Sequence, residues 1–466
     1  MTRVLLTGGS VLDVASGEAR PADVVMEGDR IVAVGTGLDG DEAVDCTGGM
    51  LLPGFIDCHT HVCLPATYHE DDPLDMPRSA RALAAVPVLR TLLRLGVTTV
   101  RDAWGADAGL KLALERGWIE GPDLFVSLRQ VCTTGGIGDH WAPLSGSLDL
   151  FGDPSMPDPV FCGADGARDV VRRMVRAGAD WIKVTATGSM VRGTGVHDVQ
   201  LTAEEMRALV DEADRQGRRG VMVHAHGARG AELAARAGAR SIEHGTWLDE
   251  SAVAAMAESG SWFVPTLSTT HGDPDRRPAA VEAHRRAVRL AVEAGVPVAM
   301  GTDNPVRPHT EVLREIGYLS DAGLGPAGAL RAATLDAARL LGLADDRGEV
   351  APGKRADLVL LDGTDLDPAR LEDRIRSVWH NGRQVPAAPT GSGRVAGERR
   401  GDERPGSGRA DGEPPDGERP DGGRPDGERP GSERPGGSER PGAAPPDQRA
   451  APDSSAGGAA LNGTTR

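Results

Sequence analysis

The sequence predicts an α/β protein: a (β/α)8 TIM barrel, a small β-sandwich built from both chain ends, and a disordered C-terminal tail. Three observations carry this. Between about residues 52 and 345, apolar runs of strand length alternate with amphipathic helical stretches. On either side of that span, short segments alternate apolar and polar residues between turn signals. From about residue 387 the chain has no aromatic residue and almost no branched aliphatic one.

The N-terminal alternating segments cover 3–7, 23–27 and 30–34, and Gly28-Asp29 between the last two is a hairpin signal. Similar strands return at 356–361 and 375–379, so residues 1–51 and 346–386 together are expected to build the sandwich. Within 52–345 the strands are expected at 52–56, 98–101, 124–131, 181–185, 220–224, 241–243, 262–266 and 297–300. Eight such strand–helix units fit a barrel, whose chemistry sits at the C-terminal strand ends. The helix over 202–216 is explicit. Thr202 and Glu205 form a capping box, Met206, Leu209, Val210 and Ala213 share an apolar face, and Gly217 ends it. Residues 165–177 repeat the pattern with Val171, Met174 and Val175 before Gly178. The tail, 387–466, carries six Arg-Pro pairs among Gly, Asp, Glu and Ser, and cannot bury enough apolar surface to offset the entropy of ordering.

A net charge of -17 argues against a nucleic-acid partner, whose phosphates need Lys and Arg opposite them. No apolar run approaches the ~20 residues of a membrane span, and the N-terminus reads as strand and turn without a signal-peptide core. Cys46, Cys58, Cys63, Cys132 and Cys162 are odd in number and lack CxxC spacing, which fits reduced thiols and a cytoplasmic protein. Homo-oligomerisation is left open.

The run Leu51-Leu52-Pro53-Gly54-Phe55-Ile56-Asp57-Cys58-His59-Thr60-His61 ends an apolar strand in two histidines one residue apart. Strand side chains alternate faces, so His59 and His61 project to one side and can grip one ion, while Cys58 and Thr60 point the other way. Lys183 lies inside the apolar stretch Trp181-Ile182-Lys183-Val184. His224-Ala225-His226-Gly227, Ile242-Glu243-His244-Gly245 and Gly301-Thr302-Asp303 close three further strands. Metal-ligand and acid/base residue types thus gather at one end of the predicted barrel.

With Thr187-Gly188 and Gly348-Glu349-Val350-Ala351-Pro352-Gly353, these motifs resemble the amidohydrolase superfamily, nearest its prolidase-like and amidase branch related to imidazolonepropionase. The resemblance covers residues 1 to about 386. It implies two divalent ions, usually zinc: one held by His59, His61 and Asp303, the other by His224 and His244. A carboxylated Lys183 would bridge them together with a hydroxide. The chemistry suits those roles. A lysine on a barrel strand has a depressed pKa, so its neutral amine can capture CO2; a lysine snorkelling to the barrel rim is the other reading. Asp303 can take the water's proton and pass it to the leaving amine.

His226 suits a hydrogen bond to the substrate carbonyl or the oxyanion, with metal binding as its other role. His140, after the Gly135-Gly136 pair, stands either as a substrate contact or as a surface loop residue. His69, His197, His271, His284, His309 and His380 are read as loop or surface residues, and Trp141, Arg192 and Arg307 as loop residues that could shape specificity. The activity so implied is hydrolysis of a C–N amide bond in a small-molecule or peptide substrate, a dipeptide such as Xaa-Pro or Xaa-Arg or an N-acyl compound. A mononuclear deaminase or cyclic-amide hydrolase would need a glutamate just past His224, where the chain has Ala225-His226-Gly227-Ala228-Arg229. A non-catalytic scaffold would be expected to have lost ligands, and none is missing.

Overall fold

A computed structural model describes residues 2–64, 77–144, 146–147, 155–190, 194–217 and 220–386. The described residues all fall within one compact unit. The predicted disordered tail lies outside the described residues, as do His69 and Arg192.

Two sheets use strands from the chain ends. One runs Arg30–Gly35, Asp23–Glu27, Arg3–Thr7, Glu42–Asp45, and its first pair is the antiparallel hairpin around Gly28, at φ 61°. The other runs Arg383–Gln384, Ile375–His380, Leu358–Asp362, Gly49–Pro53, Ser10–Asp13, Glu18–Pro21. Leu358–Asp362 pairs antiparallel with Gly49–Pro53, some three hundred residues earlier in the chain, because both are apolar on the face that covers Leu6, Val24 and Met26.

The predicted 52–56 strand divides at Gly54. Gly49–Pro53 stays in the end sheet, whereas Phe55–Thr60 starts a parallel sheet with Val97–Asp102 and Asp123–Val126. Only glycine fits at that junction, because a Cβ on Gly54 would lie 2.2 Å from Thr98 Oγ1. The predicted 124–131 strand also splits, since Leu128 takes φ 65° and ends pairing after Val126. Gln130–Thr133 instead joins a second parallel sheet, ordered Val160–Phe161, Gln130–Thr133, Ile182–Thr185, Val221–Gly227, Ser241–Trp247, Trp262–Val264. The predicted 262–266 strand shortens to those three residues, and 297–300 contributes only a parallel bridge from Val298 to Phe263. A further parallel bridge joins Thr60 to Asn304.

Helices pack outside these sheets. Thr202 caps Ala203–Arg215 as predicted: Glu205 N–H donates to Thr202 Oγ1 at 3.2 Å, and Thr202 N–H donates back to Glu205 Oε2 at 2.9 Å. The buried Glu212 ties this helix to Gly163–Arg176 by accepting from Arg172 Nε at 2.7 Å.

Candidate active site

Alternation puts His59 at the end of Phe55–Thr60 and His61 just past it, both buried. Their Nε2 atoms lie 3.3 and 2.9 Å from one oxygen, Asp303 Oδ1. Cys58, on the other side, packs its thiol against the carbonyl of Ala337. Asp303 reaches inward from backbone at φ 58°. Thr302 before it donates to Asp57 Oδ2 at 2.7 Å, which anchors that turn to the first strand.

The outer nitrogens of both histidines are taken. His61 Nδ1–H donates to the Trp104 carbonyl at 3.0 Å, and His59 Nδ1–H to Glu243 Oε2 at 2.6 Å. Two Nε2 lone pairs and a carboxylate oxygen therefore converge, and these ligand atoms lie within 4.8 Å of one another. Three acceptors facing one point repel unless a proton or cation stands between them. The donor set fits a metal ion. Without one, Asp303 acts on His61: burial is the largest single influence and depresses its pKa, but the Asp303 hydrogen bond and charge, with Asp102 and the Trp104 carbonyl, together outweigh it and the pKa is raised.

Behind His59 lies a buried ion pair. Arg101 Nη2 donates to Glu243 at 3.2 and 3.3 Å, Arg101 Nε donates to the Cys58 carbonyl at 2.5 Å, and Ser241 Oγ also donates to Glu243. Burial works to raise the Glu243 pKa, yet Arg101 and His59 hold it down to about 2, so the carboxylate stays ionised.

A second group adjoins the first. Lys183 Nζ stands 3.4 Å from His59 Nε2, and burial pushes its pKa down to about 8. The His244 ring centroid lies 4.9 Å from that of His59 and 4.4 Å from that of His224. His224 Nε2 faces the Gly188 carbonyl at 3.3 Å, and His244 Nδ1 faces Thr266 Oγ1 at 2.8 Å. Burial, the largest influence on both, keeps these imidazoles neutral, the form that binds metal. His226 is two residues beyond His224 on the same strand, with Nδ1 at 2.9 Å from Thr246 Oγ1 and its pKa pulled by burial to about 4.

His140 is buried and stacks on Trp104 with ring centroids 5.7 Å apart, so the surface-loop alternative for it fails. His271, His284 and His309 also correct the surface reading: all three are buried, His284 on the inner face of the helix Pro278–Glu293. His197 is exposed and packs against Trp247, and His380 lies 3.4 Å from Asp123. Trp141 is exposed, and Glu311 accepts from Arg307 at 3.1 and 3.3 Å. Sequence reasoning missed Arg101, Glu243, Trp104 and Thr266. A charged residue ending the β-branched run 97–100 was the available signal for Arg101; a backbone carbonyl such as that of Trp104 leaves none.

The profile of the amidohydrolase family matches residues 50–386. The chain belongs to the amidohydrolase family. It is an enzyme, a hydrolase acting on carbon–nitrogen bonds. This amidohydrolase is 31% identical over 359 residues to an ochratoxinase of Aspergillus niger, covering 71% of this chain and 74% of the relative. It is 30% identical over 391 residues to an imidazolonepropionase of Syntrophobacter fumaroxidans, covering 76% and 85%. A crystallised prolidase in complex with N-methylphosphonate-L-proline superposes with TM-score 0.75 at 32% identity, over 82% of this amidohydrolase and 99% of that chain. Among the described residues, no helix is long and apolar enough to cross a membrane.

Proposed function

We propose that this amidohydrolase cleaves the C–N amide bond of a dipeptide or an N-acyl amino acid, using two divalent ions with zinc as the first candidate. The convergence of His59, His61 and Asp303 on one point carries the reading. Those three residues would hold one ion, His224 and His244 the other, and a carboxylated Lys183 would lie between the two sets. Bound ions of this kind lower the pKa of water and polarise a carbonyl. Asp303 accepts the attacking water's proton and returns it to the leaving amine. His226, neutral and with its ring against those of His224 and His244, donates to the substrate carbonyl oxygen as negative charge grows there, and His140 with Trp104 forms a wall for the substrate. In the same reading, the two parallel sheets and the bridges at Val298 and Asn304 belong to one (β/α)8 barrel over 52–345, with a β-sandwich from 1–51 and 346–386.

Arg277 supports a substrate with a free carboxylate. Its Nη2 donates to the Met190 carbonyl at 3.2 Å, two residues past the Gly188 carbonyl that His224 faces. Its charge acts on His226. The relatives point the same way, one being a prolidase crystallised with a proline derivative. The test is a zinc-loaded enzyme offered Xaa-Pro, Xaa-Arg and N-acyl amino acid libraries beside elemental analysis. Turnover of a carboxylate-bearing amide with two ions per chain is expected; full activity with one ion would replace this mechanism by a mononuclear one.

A further inference from the structure

His244 does something a strand residue cannot ordinarily do. In a regular strand, Glu243 and His244 would face opposite sides. Here Glu243 Oε2 reaches His59 Nδ1 at 2.6 Å while the His244 ring centroid lies 4.9 Å from that of His59, so both meet the same residue. The backbone explains it: His244 sits at φ 70°, and Gly245 follows at φ 54°. A left-handed residue other than glycine persists only where its surroundings hold it.

The hold comes from His284. Its Nε2 lies 2.8 Å from the His244 carbonyl oxygen, and a carbonyl can only accept, so Nε2 carries the proton. His284 Nδ1 is then an acceptor, and its neighbour at 2.9 Å is Thr270 Oγ1, whose single proton it shares with the Leu267 carbonyl at 3.2 Å. The Thr270 oxygen in turn lies 2.9 Å from His271 Nδ1. The chain of donors therefore runs from His271 through Thr270 to His284, and His284 donates to His244. His284 is fully buried.

The far end is fixed as well. Glu315, fully buried, accepts from Leu267 N–H and Ser268 N–H at 2.7 Å each and from Ser268 Oγ–H at 2.6 Å. The same turn supplies Thr266, whose hydroxyl faces His244 Nδ1 at 2.8 Å. His244 is thus gripped twice from one anchored segment: at its ring by Thr266, and at its carbonyl by His284 through Thr270.

We propose that His284 is a positioning residue for His244, holding its carbonyl so that the left-handed turn carries the His244 imidazole against His59, the residue that Glu243 also contacts. This rests on the reading of His224 and His244 as ligands of a second ion, while His59, His61 and Asp303 hold the first. His284 touches neither set of ligand atoms, so its removal should act on one ion and spare the other.

The experiment compares the full-length wild type with His284→Leu and His284→Gln by two readouts. In zinc titrations against a chelator, His284→Leu is expected to keep one tight ion and to bind the second ~10–100-fold more weakly, the usual scale for losing an orienting partner. His284→Gln, which keeps an N–H near the same place, should recover much of that affinity. In crystals of the metal-free protein, His284→Leu should show His244 out of the left-handed region and its ring away from Thr266. A His284→Leu protein with both ions at wild-type affinity, or with His244 still at its wild-type φ, overturns the proposal. Should His284→Leu not fold, Thr270→Val removes the proton that fixes the His284 tautomer and carries the same two readouts. A wild type that binds a single ion defeats the two-ion reading instead, and the metal-free crystal arm then decides the role of His284 alone.

Discussion

The Nδ1 nitrogen of His59 and the Oε2 oxygen of Glu243 lie 2.6 Å apart on two side chains with no solvent exposure. That contact fixes which His59 nitrogen carries the proton, and so turns the Nε2 lone pair toward Asp303 and Lys183. Arg101 keeps the carboxylate charged from behind.

Glu243→Gln keeps the size of the side chain and removes the charge. Zinc affinity should fall ~10–100-fold because a neutral amide replaces the charged carboxylate that orients His59 and raises its basicity. The zinc-free protein should lose ~3–5 kcal/mol in denaturant unfolding, since Arg101 is left as a buried charge without its counter-ion. Wild-type zinc affinity in this variant would remove the orienting role.

On the proposed two-ion reading, Lys183→Ala should abolish turnover and lower the zinc content, because that reading places a lysine carbamate between the two ligand sets. Burial already brings the amine's pKa down to about 8, which favours the neutral form that captures CO2. Added formate, acetate or propionate should restore part of the activity by standing in for the carbamate. A Lys183→Ala enzyme with wild-type zinc content and rate would show that the lysine is a packing residue.

Asp303→Asn retains an oxygen toward His59 and His61 but cannot accept a proton. Folding and at least one bound ion should survive, with kcat lower by ~10²–10⁴-fold, the contribution of a positioned acid/base. Steady-state rates near wild type would sink the proton-transfer assignment.

Arg277→Met should raise KM by ~10–100-fold for substrates ending in a free carboxylate, the scale of one lost hydrogen bond to a charged group. The same substrates as C-terminal amides should be indifferent to the change. Equal effects on acid and amide would place the guanidinium outside the substrate site.

Glu212 offers a pH test of stability. The Arg172 hydrogen bond is the largest influence on its carboxyl, whose pKa falls from 4.5 to about 2. A folded pKa below the unfolded one means stability present above pH 4.5 and lost as pH falls toward 2. Thermal unfolding should therefore show Glu212→Gln below wild type at pH 7, with the gap closing on acidification. A gap of constant size between pH 7 and pH 3 would mean that shape, and not charge, explains the difference.

Local pattern was enough to read several features in the sequence. Alternation put His59 and His61 on one side, because two residues along a strand always return to the same face, and their Nε2 atoms do meet at Asp303. The Thr202–Glu205 box and the Gly28 hairpin were equally local. The motifs also pointed to the family, whose profile spans 50–386.

Only the tertiary structure decided the rest, where partners far apart in sequence set the outcome. One apolar run divides at Gly54 because Gly49–Pro53 pairs with Leu358–Asp362 and Phe55–Thr60 with Val97–Asp102, and Thr98 leaves room only for glycine at the junction. Leu128 breaks a strand that composition alone would have continued. Glu243 and His244 are neighbours that alternation would separate, yet a left-handed turn held by His284, forty residues later, sends both toward His59. Periodicity tells which way a side chain leaves a regular backbone; it cannot tell where a distant hydrogen bond makes that backbone irregular, and here that irregularity brings the two halves of the site together.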